Sequence, residues 1–305
     1  MAIIVAVRSG NWSDTSHVTG PWPGESTPTT KPGVGDTVQS GAFIVTIDED
    51  VHVALLESTG GSFFVVAAPV LPETRQIVAN VKGGIATAIE ITNPTGIVYI
   101  TGNVTGGTAT EDSSYGIYNN GIMGNVVGNV TGGDENNKYG IYNNGIMGNV
   151  VGNVTGKVNA IGIYNNGTMG NVVGNVTGGV NVPGIHNDGT MGNVVGNVIG
   201  GSGNNGYGID TVNGTIGHID GSIVCGANAR FPILGPCKLA ANPLNAITVI
   251  SSTDVPLTLS NDYPAEADVK SGVEYNRGTM TGELAAGGNI GPVSIVIGGG
   301  GIRIF

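Results

Sequence analysis

The sequence predicts an all-β protein built around a right-handed parallel β-helix, and three observations favour this fold. A 17-residue unit, Gly-Ile-Tyr-Asn-Asn-Gly-Ile-Met-Gly-Asn-Val-Val-Gly-Asn-Val-Thr-Gly, occupies residues 116–132 and returns with small changes at 140–156, 162–178 and 184–200. A degenerate fifth copy begins at Gly208, and the copies start 22 or 24 residues apart, which is typical of a solenoid with one coil per copy. Frequent glycine and an alternation of apolar and polar residues favour strands over helices.

Alternation within the unit defines the predicted strand. In the first copy, positions 122, 124, 126, 128 and 130 carry Ile, Gly, Val, Gly and Val, whereas most amides occupy the positions between them. Three glycines within residues 121–129 would each cost a helix about 1 kcal/mol relative to alanine, so a helix is a poor alternative. Turns are expected at the Asn-Gly and Gly-Asn pairs, where left-handed backbone costs little.

Equivalent residues of successive coils are expected to form columns. Each strand should pair in parallel with the same strand of the next coil, about 4.8 Å away, and the crossover rule makes the coil right-handed. We predict two interior aliphatic columns and one asparagine column that is hydrogen-bonded along the axis. Their members are Ile117, Ile141, Ile163, Ile185 and Ile209; Val126, Val150, Val172, Val194 and Ile219; and Asn119, Asn143, Asn165 and Asn187. The alternation does not decide whether the methionines at 123, 147, 169 and 191 or the residues before them point inwards.

The segments before the regular repeat predict an arm followed by capping coils. Residues 1–34 are assigned to an N-terminal arm and loop, with a short first strand and a proline-rich stretch. Trp12 and Trp22, the only tryptophans, are expected to fix this loop to the end of the solenoid, with contact to a partner as the alternative. Short β-branched and aromatic runs begin at Asp36, so we place the β-helix at residues 35–229, with about eight coils.

Residues 230–305 are predicted to form a separate small β module, because the periodicity stops after Cys225. The chain ends in Ile302-Arg303-Ile304-Phe305. So apolar a terminus is expected to be buried, either against its own module or between subunits. Ile302, Ile304 and Phe305 are therefore the candidate assembly tail.

Composition limits the classes of function. The chain has 305 residues, a formal charge of −11 and only 11 Lys and Arg, so it lacks a basic surface for phosphates and no nucleic acid is expected as a ligand. The apolar run at the N-terminus is far shorter than a membrane span and has no basic start, so we expect no membrane partner and no signal peptide. Cys225 and Cys237 are expected to be free thiols, with a disulfide as the alternative.

Catalytic chemistry has only one weak candidate in the sequence, a polar cluster near the last regular coils. Its members are His186, Asp188, Asp210, His218 and Asp220. In the aligned copies Asp188 replaces a turn asparagine, whereas His186 and Asp210 replace a tyrosine, so we interpret the cluster as decay of the repeat. The alternative is a glycosidase, which needs two carboxylates about 5 to 10 Å apart. We predict a protein that is not an enzyme and that has no cofactor and no metal.

A column of outward tyrosines is the candidate contact surface. Tyr118, Tyr142 and Tyr164 occupy one position of three successive copies. Exposed tyrosines are typical of protein contacts and of stacking on sugars. The alternative is that the rings cover their own glycine-rich surface.

Three features resemble virion proteins of tailed bacteriophages. Residues 11–14, 35–38 and 45–51 are similar to the N-terminal region of those proteins, and Gly-Asn-Val-Thr-Gly runs occur in them as well. Ala267–Tyr275 with Gly278–Leu284 resembles a short phage module, from which Lys270 and Glu283 depart.

The resemblance implies a non-enzymatic structural protein of the virion, either a capsid decoration (cement) protein or a fibre. It implies a homotrimer that binds other virion proteins, of the capsid shell or of the tail, and that is assembled in the host cytoplasm. The alternative is a β-helix similar to a tailspike, which would bind or cleave a glycan of the host surface.

Overall fold

The computed structural model of the protein describes the chain in segments, all of which are strands, turns or loops. The described residues are 3–6, 9–13, 32–41, 43–59, 64–66, 74–84, 87–91, 96–108, 114–134, 139–211, 214–217 and 219–226, together with eight short strands between 233 and 304. They contain 37 strands and no helix. Parallel strands stack from coil to coil along most of the chain, so the predicted β-solenoid is confirmed. Its handedness stays a prediction.

The N-terminal strands join the solenoid from the start of the chain. They are β1 (Ile3–Val5), β2 (Gly10–Asn11), β3 (Thr37–Gln39), β4 (Val45–Ile47), β5 (Val51–Glu57), β6 (Phe64–Val66), β7 (Thr74–Lys82), β8 (Ile89–Ile91), β9 (Ile97–Thr101) and β10 (Val104–Thr105). β1 pairs in parallel with β3, and β2 with β4, so the pairing begins before residue 35. Trp12 is 2% exposed and lies in the core, as expected for a residue that fixes this segment, whereas Trp22 lies outside the described residues.

Each regular coil contributes four short strands, except that the second and third strands of the first coil are continuous. They are β11 (Ile117–Asn119), β12 (Ile122–Val127), β13 (Val130–Thr131), β14 (Ile141–Asn143), β15 (Ile146–Met147), β16 (Val150–Val151), β17 (Val154–Thr155), β18 (Ile163–Asn165), β19 (Thr168–Met169), β20 (Val172–Val173), β21 (Val176–Thr177), β22 (Ile185–Asn187), β23 (Thr190–Met191), β24 (Val194–Val195), β25 (Val198–Ile199), β26 (Ile209–Asp210), β27 (Thr215–Ile216), β28 (Ile219–Asp220) and β29 (Ser222–Val224). In the second copy the links are Asn144-Gly145, Gly148-Asn149 and Gly152-Asn153, the types of pair predicted as turns.

The C-terminal strands extend the solenoid and then change its pairing. They are β30 (Ile233–Leu234), β31 (Lys238–Leu239), β32 (Ile247–Ile250), β33 (Leu257–Leu259), β34 (Glu274–Tyr275), β35 (Met280–Thr281), β36 (Ile295–Gly298) and β37 (Gly301–Ile304). β30, β31 and β32 pair in parallel with β26, β27 and β29, so parallel pairing extends past residue 229 to Ile250. The pairs β32–β33, β34–β35 and β36–β37 are antiparallel. Of the assembly tail, Ile302 and Ile304 lie in β37 opposite Ile297 and Ile295, and Phe305 lies outside the described residues.

The solenoid strands are divided between two sheets. A ten-stranded sheet takes one strand from each coil, in the order β2, β4, β6, β8, β11, β14, β18, β22, β26 and β30, and the other strands of the coils belong to a 23-stranded sheet. The predicted columns are confirmed: Ile141 pairs with Ile163, and Val150 with Val172. The register matches residue for residue because the coils have nearly equal lengths.

The interior consists of aliphatic columns that include the methionines. Met147 is 2% exposed and Ile146 is 53% exposed, so the methionines point inwards and the residues before them outwards. The strict alternation predicted from residue 122 is therefore wrong at its start, since the inward residues are Met123, Val126 and Val130. The physical reason lies in the pairing of β12 with β9, whose register shifts between Met123 and Val126. The strand bends there before the alternation resumes.

One glycine column is required by the backbone. Gly128, Gly152, Gly174 and Gly196 have φ between +144° and +147°, a conformation that other residues rarely adopt. A Cβ atom at Gly152 would also overlap the main-chain carbonyl of Gly128 in the preceding coil. These glycines allow the coils to bend and to stack closely at the same point.

Candidate functional site

The predicted asparagine column is a buried, hydrogen-bonded ladder. Asn119, Asn143, Asn165 and Asn187 are fully buried, and Nδ2 of each of the first three donates to Oδ1 of the next asparagine at 2.7 Å. Nδ2 also donates to a main-chain carbonyl of the next coil, as from Asn143 to Thr168 at 3.1 Å. An unpaired buried amide costs about 1 to 3 kcal/mol, so the column favours a side chain with a donor and an acceptor at the same height.

The ladder ends where the repeat changes. Ile91 pairs with Asn119 at one end. At the other end the register places Thr211 after Asn187, because His186 pairs with Asp210. The hydroxyl of Thr211 donates to the carbonyl of Asn187 and accepts the N–H of Gly214 at 2.9 Å. A hydroxyl thus replaces the amide at the point where the ladder stops.

Two outer asparagine columns connect the coils through their side-chain oxygens. Oδ1 of Asn125 accepts the backbone N–H of Asn149 at 2.8 Å, and Oδ1 of Asn129 accepts that of Asn153 at 2.9 Å. The same contact recurs along the axis, to Asn193 in one column and to Asn197 in the other. The side-chain oxygens of these asparagines therefore bind the neighbouring coil.

The tyrosine column belongs to a larger aromatic stack. The rings of Tyr118, Tyr142 and Tyr164 are separated by 5.2 and 5.1 Å and lie within 10° of parallel. Tyr139 joins them, with its ring 5.3 Å from that of Tyr164 at an angle of 6°, and Tyr115 lies 5.6 Å from Tyr118. These five tyrosines and His186 are called the aromatic stack below. Sequence reasoning missed Tyr115 and Tyr139, although the signal Tyr-Gly-Ile-Tyr occurs at both 115–118 and 139–142.

The tyrosines of the stack are partly buried by one another. Burial raises the pKa of Tyr139 to about 12, and the neighbouring phenols of Tyr115 and Tyr164 contribute. Burial also raises the pKa of Tyr118 and Tyr164, so these phenols stay neutral at physiological pH. Stacked rings occupy each other's faces and direct their edges outwards, whereas stacking on a sugar requires an open face. The role of these residues as a contact surface stays a prediction.

His186 ends the stack and is held between two carboxylates. Its ring lies 4.5 Å from that of Tyr164 at an angle of 17°. Nδ1 is 3.0 Å from Oδ2 of Asp210, and Nε2 is 3.1 Å from Oδ2 of Asp188. The hydrogen bond to Asp210 raises the pKa of His186, and Asp188 acts in the same direction against the effect of burial. The protonated imidazole is therefore favoured at the end of the stack.

The predicted polar cluster is only partly assembled. His186, Asp188 and Asp210 meet, whereas Asp220 lies in β28 opposite Val195, in the other sheet. His218 lies outside the described residues. Both carboxylates bind one imidazole, so they do not stand as an acid and a base on either side of a substrate.

Two further ionisable groups among the described residues are the carboxyl of Glu90 and the thiol of Cys225. Glu90 precedes Tyr118 in its column, and burial raises the pKa of this carboxyl. Cys225 is buried, and Cys237 lies outside the described residues. Among the described residues, no group of three or more His, Cys, Asp or Glu could hold a metal ion.

Comparisons with known proteins give no match: neither a family model nor a curated protein nor a solved structure is significantly similar to the chain. In the part of the chain that is described, no helix is long and apolar enough to span a membrane.

Proposed function

We propose that this protein is a non-enzymatic structural component of a tailed-phage virion, either a capsid decoration protein or a fibre. The observation that carries the proposal is the buried asparagine ladder together with the two outer asparagine columns. Their hydrogen bonds connect four successive coils. These hydrogen bonds between successive coils oppose bending of the solenoid and separation of its coils. Resistance to both is what a shaft or a reinforcing layer requires.

The free energy that these asparagine hydrogen bonds contribute supports a stiff shaft. Between two regular coils there is one buried amide bond and one bond in each outer column, as between Asn143 and Asn165, Asn149 and Asn171, and Asn153 and Asn175. At about 1 kcal/mol net for each bond, the ladders contribute roughly 3 kcal/mol per coil beyond strand pairing and core burial. A binding or catalytic protein instead directs such groups into a common pocket.

The resemblance to phage virion proteins at both ends of the chain supports the assignment to a particle. The terminal modules would bind other virion proteins, and the shaft would reinforce the shell or project from it. The acidic charge would face away from packaged DNA. A homotrimer held by the tail Ile302, Ile304 and Phe305 is part of the proposal, and light scattering of a chain that lacks residues 302–305 would test it.

The direct test is quantitative mass spectrometry of purified particles of the phage that encodes the chain. We expect many copies per particle, as for a shell or fibre component. Presence in the lysate but absence from particles purified on a density gradient would overturn the proposal.

The aromatic stack is the proposed contact surface with the particle. Tyr142→Ser removes a central ring, so we expect weaker binding to particles that lack the protein. Tyr207→Ser is the matched control, because Tyr207 lies in a later coil outside the stack. Equal binding by both variants in a co-sedimentation assay would show that the stack serves only the fold.

The tailspike alternative is favoured by one observation, two aspartates beside aromatic rings. It predicts that the purified protein depolymerises a host polysaccharide and that Asp188→Ala or Asp210→Ala abolishes the activity. Asp134→Ala is the control, since Asp134 pairs with Lys157 away from this cluster. Such activity, lost only in the first two variants, would replace the structural proposal.

A further inference from the structure

The outer surface carries an apolar column that the proposed function does not use. Val127, Val151, Val173 and Val195 are 46, 43, 42 and 40% exposed, one in each of four successive coils. Parallel pairing places each beside the next, at steps of about 4.8 Å. These four residues are called the valine column below. An outward strand position accepts a polar residue, so the repeated valine is a feature that needs a cause.

Ordered, uncharged side chains lie on both sides of the valine column, and Asp220 follows Val195 at one end of it. The two outer asparagine columns lie two residues before it and two residues after it, as Asn149 and Asn153 do around Val151. Their side-chain oxygens already accept hydrogen bonds from the next coil, so these amides lose little conformational entropy when a partner approaches. Residues 125–129, 149–153, 171–175 and 193–197 contain no charged residue, although the chain carries a formal charge of −11.

We propose that the valine column is a self-association surface and that its partner is the valine column of a second copy of this chain. Identical apolar side chains at strand spacing interdigitate best with a column of the same spacing, which is the geometry of paired sheets in a steric zipper. A two-fold axis brings the same column of both copies together. The neutral flanks matter because two acidic chains repel each other elsewhere.

The size of the surface sets the strength of this contact. Four coils at about 4.8 Å and five residues at about 3.3 Å give roughly 300 Å² on each copy, well below the ~800 Å² per partner of a stable complex. Pairing between isolated chains is therefore weak. Copies fixed side by side on a particle have effective concentrations of about 1 mM, at which weak contacts form. Only this last step rests on the proposed function.

Sedimentation velocity of the full chain tests the proposal, over concentrations from about 10 µM to about 1 mM. The mass of the wild-type species should rise towards twice its value at low concentration. Val151→Glu combined with Val173→Glu places like charges on both faces and should weaken association at least about tenfold. Val158→Glu combined with Val180→Glu is the matched control, because these valines are 52 and 51% exposed in the same two coils but lie outside the column. The control should associate as the wild type does.

A second pair of variants separates association from folding. Val151→Thr combined with Val173→Thr keeps the branched shape and the neutral charge, so the thermal midpoint should stay the same while association weakens several-fold. A wild-type mass that does not change with concentration would overturn the proposal. Equal weakening by both glutamate pairs would do so too, because it would reflect net charge alone. Neither result would affect the detection of the protein in particles, which decides the proposed function independently.

Discussion

At the scale of single residues, adjacent asparagines have opposite environments. Asn143 is buried, donates to Asn165 and accepts from Asn119, whereas Asn144 is exposed at the turn that follows. Asn143→Ala removes both ladder bonds and leaves a buried oxygen of Asn165 without its donor. We expect a loss of about 2 to 3 kcal/mol in the free energy of unfolding, measured by urea denaturation.

Asn144→Ala is the control for this prediction. It deletes the same amide one residue away, at a surface position, so the expected change is within about 0.5 kcal/mol. Equal losses for the two variants would contradict the assignment of stability to the buried ladder.

The pH dependence of stability should reflect the ion pair of His186. Its pKa is raised in the folded protein, so the protonated form is favoured by folding. This contribution is fully present below the ordinary histidine value of 6.5 and is lost as the pH rises through the higher pKa of the folded state. We expect a thermal midpoint a few degrees higher at pH 6 than at pH 9, measured by circular dichroism.

His186→Tyr tests the origin of that trend. The substitution restores the residue of the three preceding copies and removes the imidazole, so the difference between pH 6 and pH 9 should shrink. An unchanged difference in this variant would assign the pH dependence to other groups.

At the scale of the coil, the structure predicts which deletions the fold tolerates. Removing residues 141–162 joins Gly140 to Ile163 and deletes one 22-residue repeat. Every column keeps its register, because Ile117 then pairs with Ile163 as it did with Ile141. We expect the same β spectrum per residue and a cooperative thermal transition in circular dichroism, since each coil contacts only its neighbours.

The control deletion removes half a repeat. Loss of residues 141–151 joins Gly140 to Gly152. Residues of the aliphatic columns would then pair with normally exposed residues, and the asparagine ladder would be interrupted. This variant should be insoluble or poorly folded. Similar behaviour of the two deletions would show that register does not govern the fold.

The sequence predicted the columns because the period of the repeat alone determines which residues stack. It did not determine the orientation of the methionines, since alternation assumes a straight strand and the chain bends between Met123 and Val126. The aromatic stack was underestimated because Tyr115 and Tyr139 lie just outside the aligned unit, each before its first glycine. His186 and Asp210 replace tyrosine in one column, but their hydrogen bond depends on side-chain geometry that alignment does not contain.

At the scale of the whole molecule, the ten-stranded sheet gives the length of the solenoid. Ten strands at about 4.8 Å span roughly 43 Å along the axis. The four regular coils repeat the same asparagine hydrogen bonds, so resistance to bending is distributed over these coils rather than confined to one of them. A protein that reinforces or extends a particle benefits from this distribution.

In the proposed function, this shaft is a fixed part of a phage particle. A cryo-electron microscopy map of intact particles tests it most directly, compared with particles from a phage in which the coding sequence is deleted. We predict a rod of stacked coils, spaced about 4.8 Å, on the shell or the tail of the first particles and its loss from the second. Identical maps of the two particles would contradict the account.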